Sequence, residues 1–253
     1  MPVASETRKW LEWMLTTSVP LRRFGASGEL LAATSSVLID FQGRRFLLAA
    51  AHAVPRSSAG WALEIGYDPA KGTEVLHLAP FVYLGEYSLG SKALRELDLC
   101  AVEVPGDLVC YYENRTLRGL FDKRPRHVFT YEPGAHPDPE GVYAFSGQVR
   151  REQHSETTFA AEMVVYPGLK YLQSQDEIEV FKLPVEHPGH DAFHGCSGAP
   201  VVSMDRKVVG IVMNGHVPTN TIRALSLKRA LPVLEFLCAE RGNRESSPGE
   251  SHP

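Results

Sequence analysis

Apolar residues enter the chain at helical spacing. Trp10, Trp13 and Met14 share one face of a helix expected over 5–15, with Ser5 placed to cap it. Val19-Pro20 ends that helix. From about residue 28 the spacing shortens to apolar runs of strand length separated by turn residues. Residues 36–41 and 45–48 flank Gln42-Gly43, the pattern of a tight hairpin. Further strands are expected at 61–66, 80–84, 98–104, 126–131, 142–148, 158–166, 178–182, 199–203, 207–213 and 221–226. Many short strands with frequent Gly and Pro predict an all-β sandwich or barrel rather than alternating strands and helices. Residues 131–141 read as a surface loop. A second helix is expected over 227–240, with Pro232 kinking or restarting it and Gly242 as a stop signal. The polar, Gly-, Ser- and Pro-rich stretch 242–253 is expected to be disordered. There is no internal repeat.

Composition narrows the function classes. The chain has 253 residues, 43% of them hydrophobic, enough for one large core or two small ones sharing an interface. The net charge of −4 gives no general affinity for nucleic acid or anionic membrane. The first twenty residues lack the uninterrupted apolar run of a signal peptide, and no stretch is long enough to span a bilayer. A cytoplasmic location is therefore expected. Cys100, Cys110, Cys196 and Cys238 are widely spaced, and free thiols are the default reading.

Three local patterns carry candidate chemistry. In Ala49-Ala50-Ala51-His52, a strand runs through small residues into a histidine, and small residues let reacting groups approach closely. Asp98 stands at the start of an apolar strand, where a carboxylate needs hydrogen bonds and an imidazole N–H would supply one. Standing alone, either residue would be an ordinary polar group at a strand end. The third pattern, Gly195-Cys196-Ser197-Gly198-Ala199-Pro200, is the most specific. Gly195 can take positive φ without steric cost. That conformation would let the N–H groups of Gly195 and Ser197 converge as an oxyanion hole. The competing reading is an ordinary Gly-rich hairpin.

Together these segments resemble the trypsin/chymotrypsin-like serine peptidases, whose members show Ala-Ala-His, an Asp-Leu-Ala type strand and Gly-x-Ser-Gly-x-Pro in that order. The resemblance spans roughly 28–240. It implies an all-β fold of two six-stranded β-barrels with an N-terminal and a C-terminal helix. The expected parts are helix 1–20, a first barrel at 21–115 carrying His52 and Asp98, a second barrel with the final helix at 116–241 carrying Ser197, and a tail at 242–253. It further implies a serine endopeptidase with Ser197 as nucleophile, His52 as general base and Asp98 orienting the histidine. Gly195 and Ser197 would form the oxyanion hole. Asp191, His194, Asn214 and Gly215 would bind substrate, with Asp191 at the base of a pocket for Arg or Lys. The implied partner is a polypeptide, with no cofactor, metal, nucleic acid or membrane; a regulatory protein partner is left unnamed. Cys196 stands where secreted digestive members carry an Asp that pairs with a freed N-terminus, so activation by N-terminal cleavage is not expected. A bacterial-style intracellular relative fits better.

Three alternatives compete. Cys196 could be the nucleophile, although it lies one residue early. His187, His190, His194 and Asp191, with Cys196 nearby, could bind zinc, although Pro188 and Gly189 break regular presentation. The chain could also be a catalytically inactive barrel used as a protein-binding module.

Overall fold

The Gln42-Gly43 pair sets the first long hairpin. Both residues have positive φ, 50° and 75°, as the hairpin turn with two left-handed positions requires. They join β2 (Leu30–Phe41) to β3 (Arg44–Ala49), with Phe41 opposite Arg44 and Val37 opposite Leu48. The structure is a computed structural model, and it describes residues 2–88, 93–116, 119–155 and 158–245.

Before this hairpin lie α1 (Pro2–Met14) and β1 (Val19–Phe24). After it come β4 (Trp61–Asp68), β5 (Gly72–His77), β6 (Val82–Ser88) and β7 (Ala93–Val104). Next are β8 (Tyr111–Thr116), β9 (Gly119–Pro125) and β10 (Val128–Thr130). The N-terminal sheet runs in the order β5-β4-β1-β2-β3-β7-β6, and β10 adds to β2 as a parallel eighth strand. It is a barrel-like sheet of eight strands rather than a six-stranded closed ring. β10 lies beyond residue 115, yet it pairs Val128 with Leu38 and so belongs to this sheet. β8 and β9 form a separate hairpin.

The second unit closes fully. Strands β11 (Tyr143–Gln153), β12 (Phe159–Gln175), β13 (Ile178–Lys182), β16 (Thr221–Ser226), β15 (Val208–His216) and β14 (Pro200–Ser203) make a six-stranded barrel. The chain ends in a 3₁₀ turn, Leu227–Ala230, and α2 (Leu231–Glu245).

Alternation along β2 and β3 decides where the core lies. Leu38 and Leu47 face the interior of the first sheet with Val19, Leu21, Leu63 and Val102. Val37, Ile39, Phe46 and Leu48 face the other way. There they meet Trp10 and Met14 of α1, Val233 and Leu234 of α2, and Val202, Ile211 and Leu225 of the closed barrel. Both helices thus seal the seam between the two units. The closed barrel has its own interior around Tyr143, Phe145, Phe181, Val201 and Val209.

Some boundaries differ from the sequence expectation. α1 begins at Pro2, which suits a first helical turn, so Ser5 lies inside the helix instead of capping it. Pro232 sits in the first turn of α2, a restart after the 3₁₀ turn, and the helix runs through Gly242 to Glu245. The expected disordered tail lies outside the described residues from 246 onward. β1 was hidden by Pro20, Arg22 and Arg23: Arg22 is fully buried, its Nε donating to Glu64 Oε2 at 2.7 Å. Among the described residues no helix is long and apolar enough to cross a membrane.

Candidate active site

His52 lies in a single 3₁₀ turn, Ala51–Ala53, directly after β3. Ala49 at the end of β3 pairs with Cys100 of β7, so Asp98 arrives beside that turn on the neighbouring strand. Its carboxylate holds His52 twice. Oδ1 accepts the His52 backbone N–H at 2.8 Å, and Oδ2 lies 2.6 Å from Nδ1. A carboxylate only accepts, so the proton sits on Nδ1 and Nε2 is left as an acceptor in the neutral ring. Nε2 lies 3.0 Å from Ser197 Oγ, across the boundary between the units. The Asp98 side chain is mostly enclosed, while half of the His52 side chain is open to solvent.

The Ser197 loop is built from backbone. Gly195 has φ +100° and Gly198 φ +87°. A Cβ on Gly195 would stand 2.3 Å from the Gln148 carbonyl oxygen, and one on Gly198 would stand 2.1 Å from that of Ser35. Neither position accepts a side chain without displacing backbone. Gly198 N–H donates to Val212 O at 2.8 Å, and Val212 N–H returns a bond to Ala199 O at 2.8 Å. Ser197 O accepts Ser35 N–H at 3.1 Å and the Thr34 hydroxyl at 2.7 Å. Ser35 Oγ donates to Gly195 O at 2.8 Å and accepts Gln148 N–H at 3.0 Å. The carbonyls of Gly195 and Ser197 are thus tied to β2. Their N–H groups have no acceptor among the described residues.

The sequence matches no family model and no curated protein. Structural comparison is decisive. The serine endoprotease from Yersinia pestis superposes with a TM-score of 0.55 at 11% identity, over 91% of this chain and 65% of that one. This chain therefore spans about two thirds of the Yersinia protein's length. Human heparin binding protein gives 0.54 at 11% identity, over 94% and 96%. Neuropsin, a serine protease of mouse brain, gives 0.50 at 13% identity, over 87% and 93%.

The fold is that of the chymotrypsin-like serine proteases.

In this chymotrypsin-like chain the cysteine beside Ser197 points away from the cluster. Cys196 is buried in the interior of the closed barrel, with Sγ against Gly147. Burial pushes its thiol up to about 12, which keeps it protonated at neutral pH. Cys100, two residues after Asp98, is also held well above the usual thiol range, by burial and then by the Asp98 charge.

A cleft of about 350 Å³ opens beside Ser197 and His52, and Asp191, His194, Asn214 and Gly215 all line it. Asp191 lines the cleft at its edge and not as an enclosed floor. It sits in a 3₁₀ turn, Asp191–Phe193, and is exposed; the enclosed side chain of that turn is Phe193. A carboxylate in solvent is not the poorly hydrated group that a pocket for Arg or Lys needs. The histidine-rich segment packs its rings together, with His187 4.7 Å from Phe193 and 5.9 Å from His190. Among the described residues no three His, Cys, Asp or Glu side chains converge as a metal site would require.

Thr34 and Ser35 were missed by the sequence reading. They lie in a run of small residues, Ala32-Ala33-Thr34-Ser35-Ser36, that resembles any polar strand. Only the partner loop, about 160 residues away, reveals their use.

Proposed function

We propose that this chain is a serine endopeptidase that works through an acyl-enzyme on Ser197. The observation that carries the reading is the hydrogen-bonded series Asp98–His52–Ser197, at 2.6 and 3.0 Å, with two N–H groups in the same loop that have no acceptor among the described residues. In the ground state the Ser197 hydroxyl has two acceptors in reach, His52 Nε2 at 3.0 Å and Met213 O at 3.1 Å. Attack on a peptide carbonyl requires the first. As Oγ bonds to the carbonyl carbon, its proton passes to Nε2, and Asp98 stabilises the imidazolium. The carbonyl oxygen gains negative charge and takes the N–H groups of Gly195 and Ser197. Collapse breaks the C–N bond, and the leaving amine takes the proton from Nε2. Water then repeats the sequence on the acyl-enzyme with His52 as base.

The fold is also that of a protein named for binding heparin, so a non-catalytic binding module is the reading to defeat. Labelling by a fluorophosphonate, read by intact mass, separates the two. Wild type and Cys196→Ala are expected to label, and Ser197→Ala to stay unlabelled. A Ser197→Ala protein labelling at the wild-type rate would sink the assignment. Wild type that never labels would leave the binding module.

A further inference from the structure

The N-terminal sheet stops short of closing, and a second cavity opens at the gap. Its edge strands, β5 and β6, do not pair with each other among the described residues. Residues 78–81 connect them, and beside this connection lies a pocket of about 270 Å³. Trp61, Leu78, Phe81 and Tyr83 wall it, and all four also pack into the interior of the sheet. The pocket is therefore the mouth of an unfinished barrel, a position where ligand sites recur. Neither His52 nor Ser197 lines it. Its volume lies just under the roughly 300–1,000 Å³ that drug-sized ligands occupy, which suits a group built on one ring.

Arg56 is the one charged side chain in this lining among the described residues. The other polar handles on the walls are engaged: Trp61 Nε1–H donates to Ser58 Oγ at 2.8 Å, and the Tyr83 hydroxyl donates to Val54 O at 2.6 Å. The Arg56 guanidinium covers the Tyr83 ring, 4.9 Å from its centroid, and meets Glu96 from outside the pocket at 3.1 Å. Both side chains of that ion pair are more than half exposed. Such a pair is weak, so another carboxylate can take Glu96's place. The walls are also tied to the candidate catalytic residues. Val54, which holds the Tyr83 hydroxyl, donates its N–H to Ala51 O at 3.1 Å and closes the turn that carries His52. Glu96 stands two residues before Asp98 on β7.

We propose that the mouth of the N-terminal sheet binds a small aromatic carboxylate, its ring against Trp61, Phe81 and Tyr83 and its carboxylate on Arg56, and that this binding slows the Ser197 chemistry. A ring seated on Tyr83 takes the face that Arg56 now covers. Arg56 swings off with the ligand carboxylate, and the chain from Val54 to Arg56 moves the His52 turn with it. The binding stands independently of the enzyme reading; the slowing rests on Ser197 being the nucleophile.

The probe is 3-phenylpropionate, compared with its uncharged amide and with propionate, which lacks the ring. The chain has three tryptophans, and their indole N–H signals can be followed by NMR, that of Trp61 being assigned with Trp61→Phe. 3-Phenylpropionate is expected to shift the Trp61 signal saturably while those of Trp10 and Trp13 stay in place. The amide and propionate are expected to bind at least roughly tenfold more weakly, as is 3-phenylpropionate to Arg56→Gln, since each loses the charge-assisted bond or the ring contacts. Saturating 3-phenylpropionate should slow fluorophosphonate labelling of the wild type by roughly tenfold, because a small displacement of a reacting group costs rate steeply. In Arg56→Gln the same concentration should leave that variant's own labelling rate unchanged. No saturable shift at Trp61, or equal binding of acid and amide, overturns the site. Slowing that persists in Arg56→Gln places the ligand in the substrate cleft and overturns the coupling, as does binding without slowing. A wild type inert to fluorophosphonate refutes the enzyme reading, and the Trp61 signal still decides the site.

Discussion

The two units contribute to the site in opposite ways. The N-terminal sheet offers side chains: His52 and Asp98 meet through a carboxylate that grips both the ring and the backbone of the histidine. The C-terminal barrel offers mostly backbone: two glycines at positive φ, two N–H groups without an acceptor among the described residues, and two carbonyls tied off across the interface. One half is chemistry held by a strand pair, and the other is geometry held by close approach. Side chains can be exchanged one at a time, but the loop has no slack, because its glycines touch Gln148 and Ser35 backbone. Damage to the first half should therefore remove rate while sparing stability, and damage to the second should remove both.

The largest expected effect tests the first half. In Asp98→Asn, a carboxamide that turns its NH₂ toward His52 Nδ1 forces the ring proton onto Nε2, which can then no longer accept from Ser197. Peptidase kcat is expected to fall by roughly ten-thousand-fold, with the urea midpoint close to wild type. An Asp98→Asn enzyme within about tenfold of wild type would remove Asp98 from the mechanism.

The second half breaks differently. Gly198→Ala forces a Cβ into a left-handed position and against the Ser35 carbonyl oxygen. Loss of about 2–4 kcal/mol is expected from strain and overpacking. Displacing Ser197 by about 1 Å is expected to slow fluorophosphonate labelling by roughly a hundredfold. Urea melts and labelling rates on one preparation check both. Full labelling with lost stability would show that the loop keeps its geometry without this glycine.

That contrast also explains what was legible in the sequence. The Gly-x-Ser-Gly loop stood out because it packs unusual residue types into a short window, and the His52 and Asp98 segments gained meaning only from standing before it in that order. The hairpin at Gln42-Gly43 was legible for the same reason: its turn needs positive φ at both positions, and the pair supplies it. β1 was not, because Arg22 is buried only by virtue of Glu64 on β4, a pairing that no local pattern contains. The edge character of Asp191 was hidden as well. The family resemblance put it at a pocket floor, but the 3₁₀ turn at 191–193 turns Phe193 inward and leaves the carboxylate in solvent. His187 stood out in the sequence only as part of a histidine cluster that could bind zinc; its burial against Gly215 on β15 is written in no local pattern.

The smallest effect addresses the joint between the halves. Ser35 Oγ is a single atom serving two masters of the loop: it donates to Gly195 O and accepts from Gln148 N–H. Ser35→Ala leaves the backbone bond from residue 35 to Ser197 O in place, along with that from Thr34 Oγ1. The serine itself should stay aimed at His52. What changes is the Gly195 peptide, whose carbonyl is released, and Gln148, whose N–H loses its acceptor in a buried strand. The second change is expected to lower stability by about 1–3 kcal/mol. The first lets the Gly195 N–H drift from the point where the oxyanion forms. That N–H matters in the transition state more than in the bound substrate, so kcat should fall roughly tenfold with KM nearly constant. Thr34→Val removes a bond from Ser197 O that Ser35 N–H still satisfies, and it should cost less on both counts. If Ser35→Ala loses stability but keeps kcat, Ser35 only fastens the barrels together. If KM rises instead, the loop shapes the cleft and not the oxyanion site.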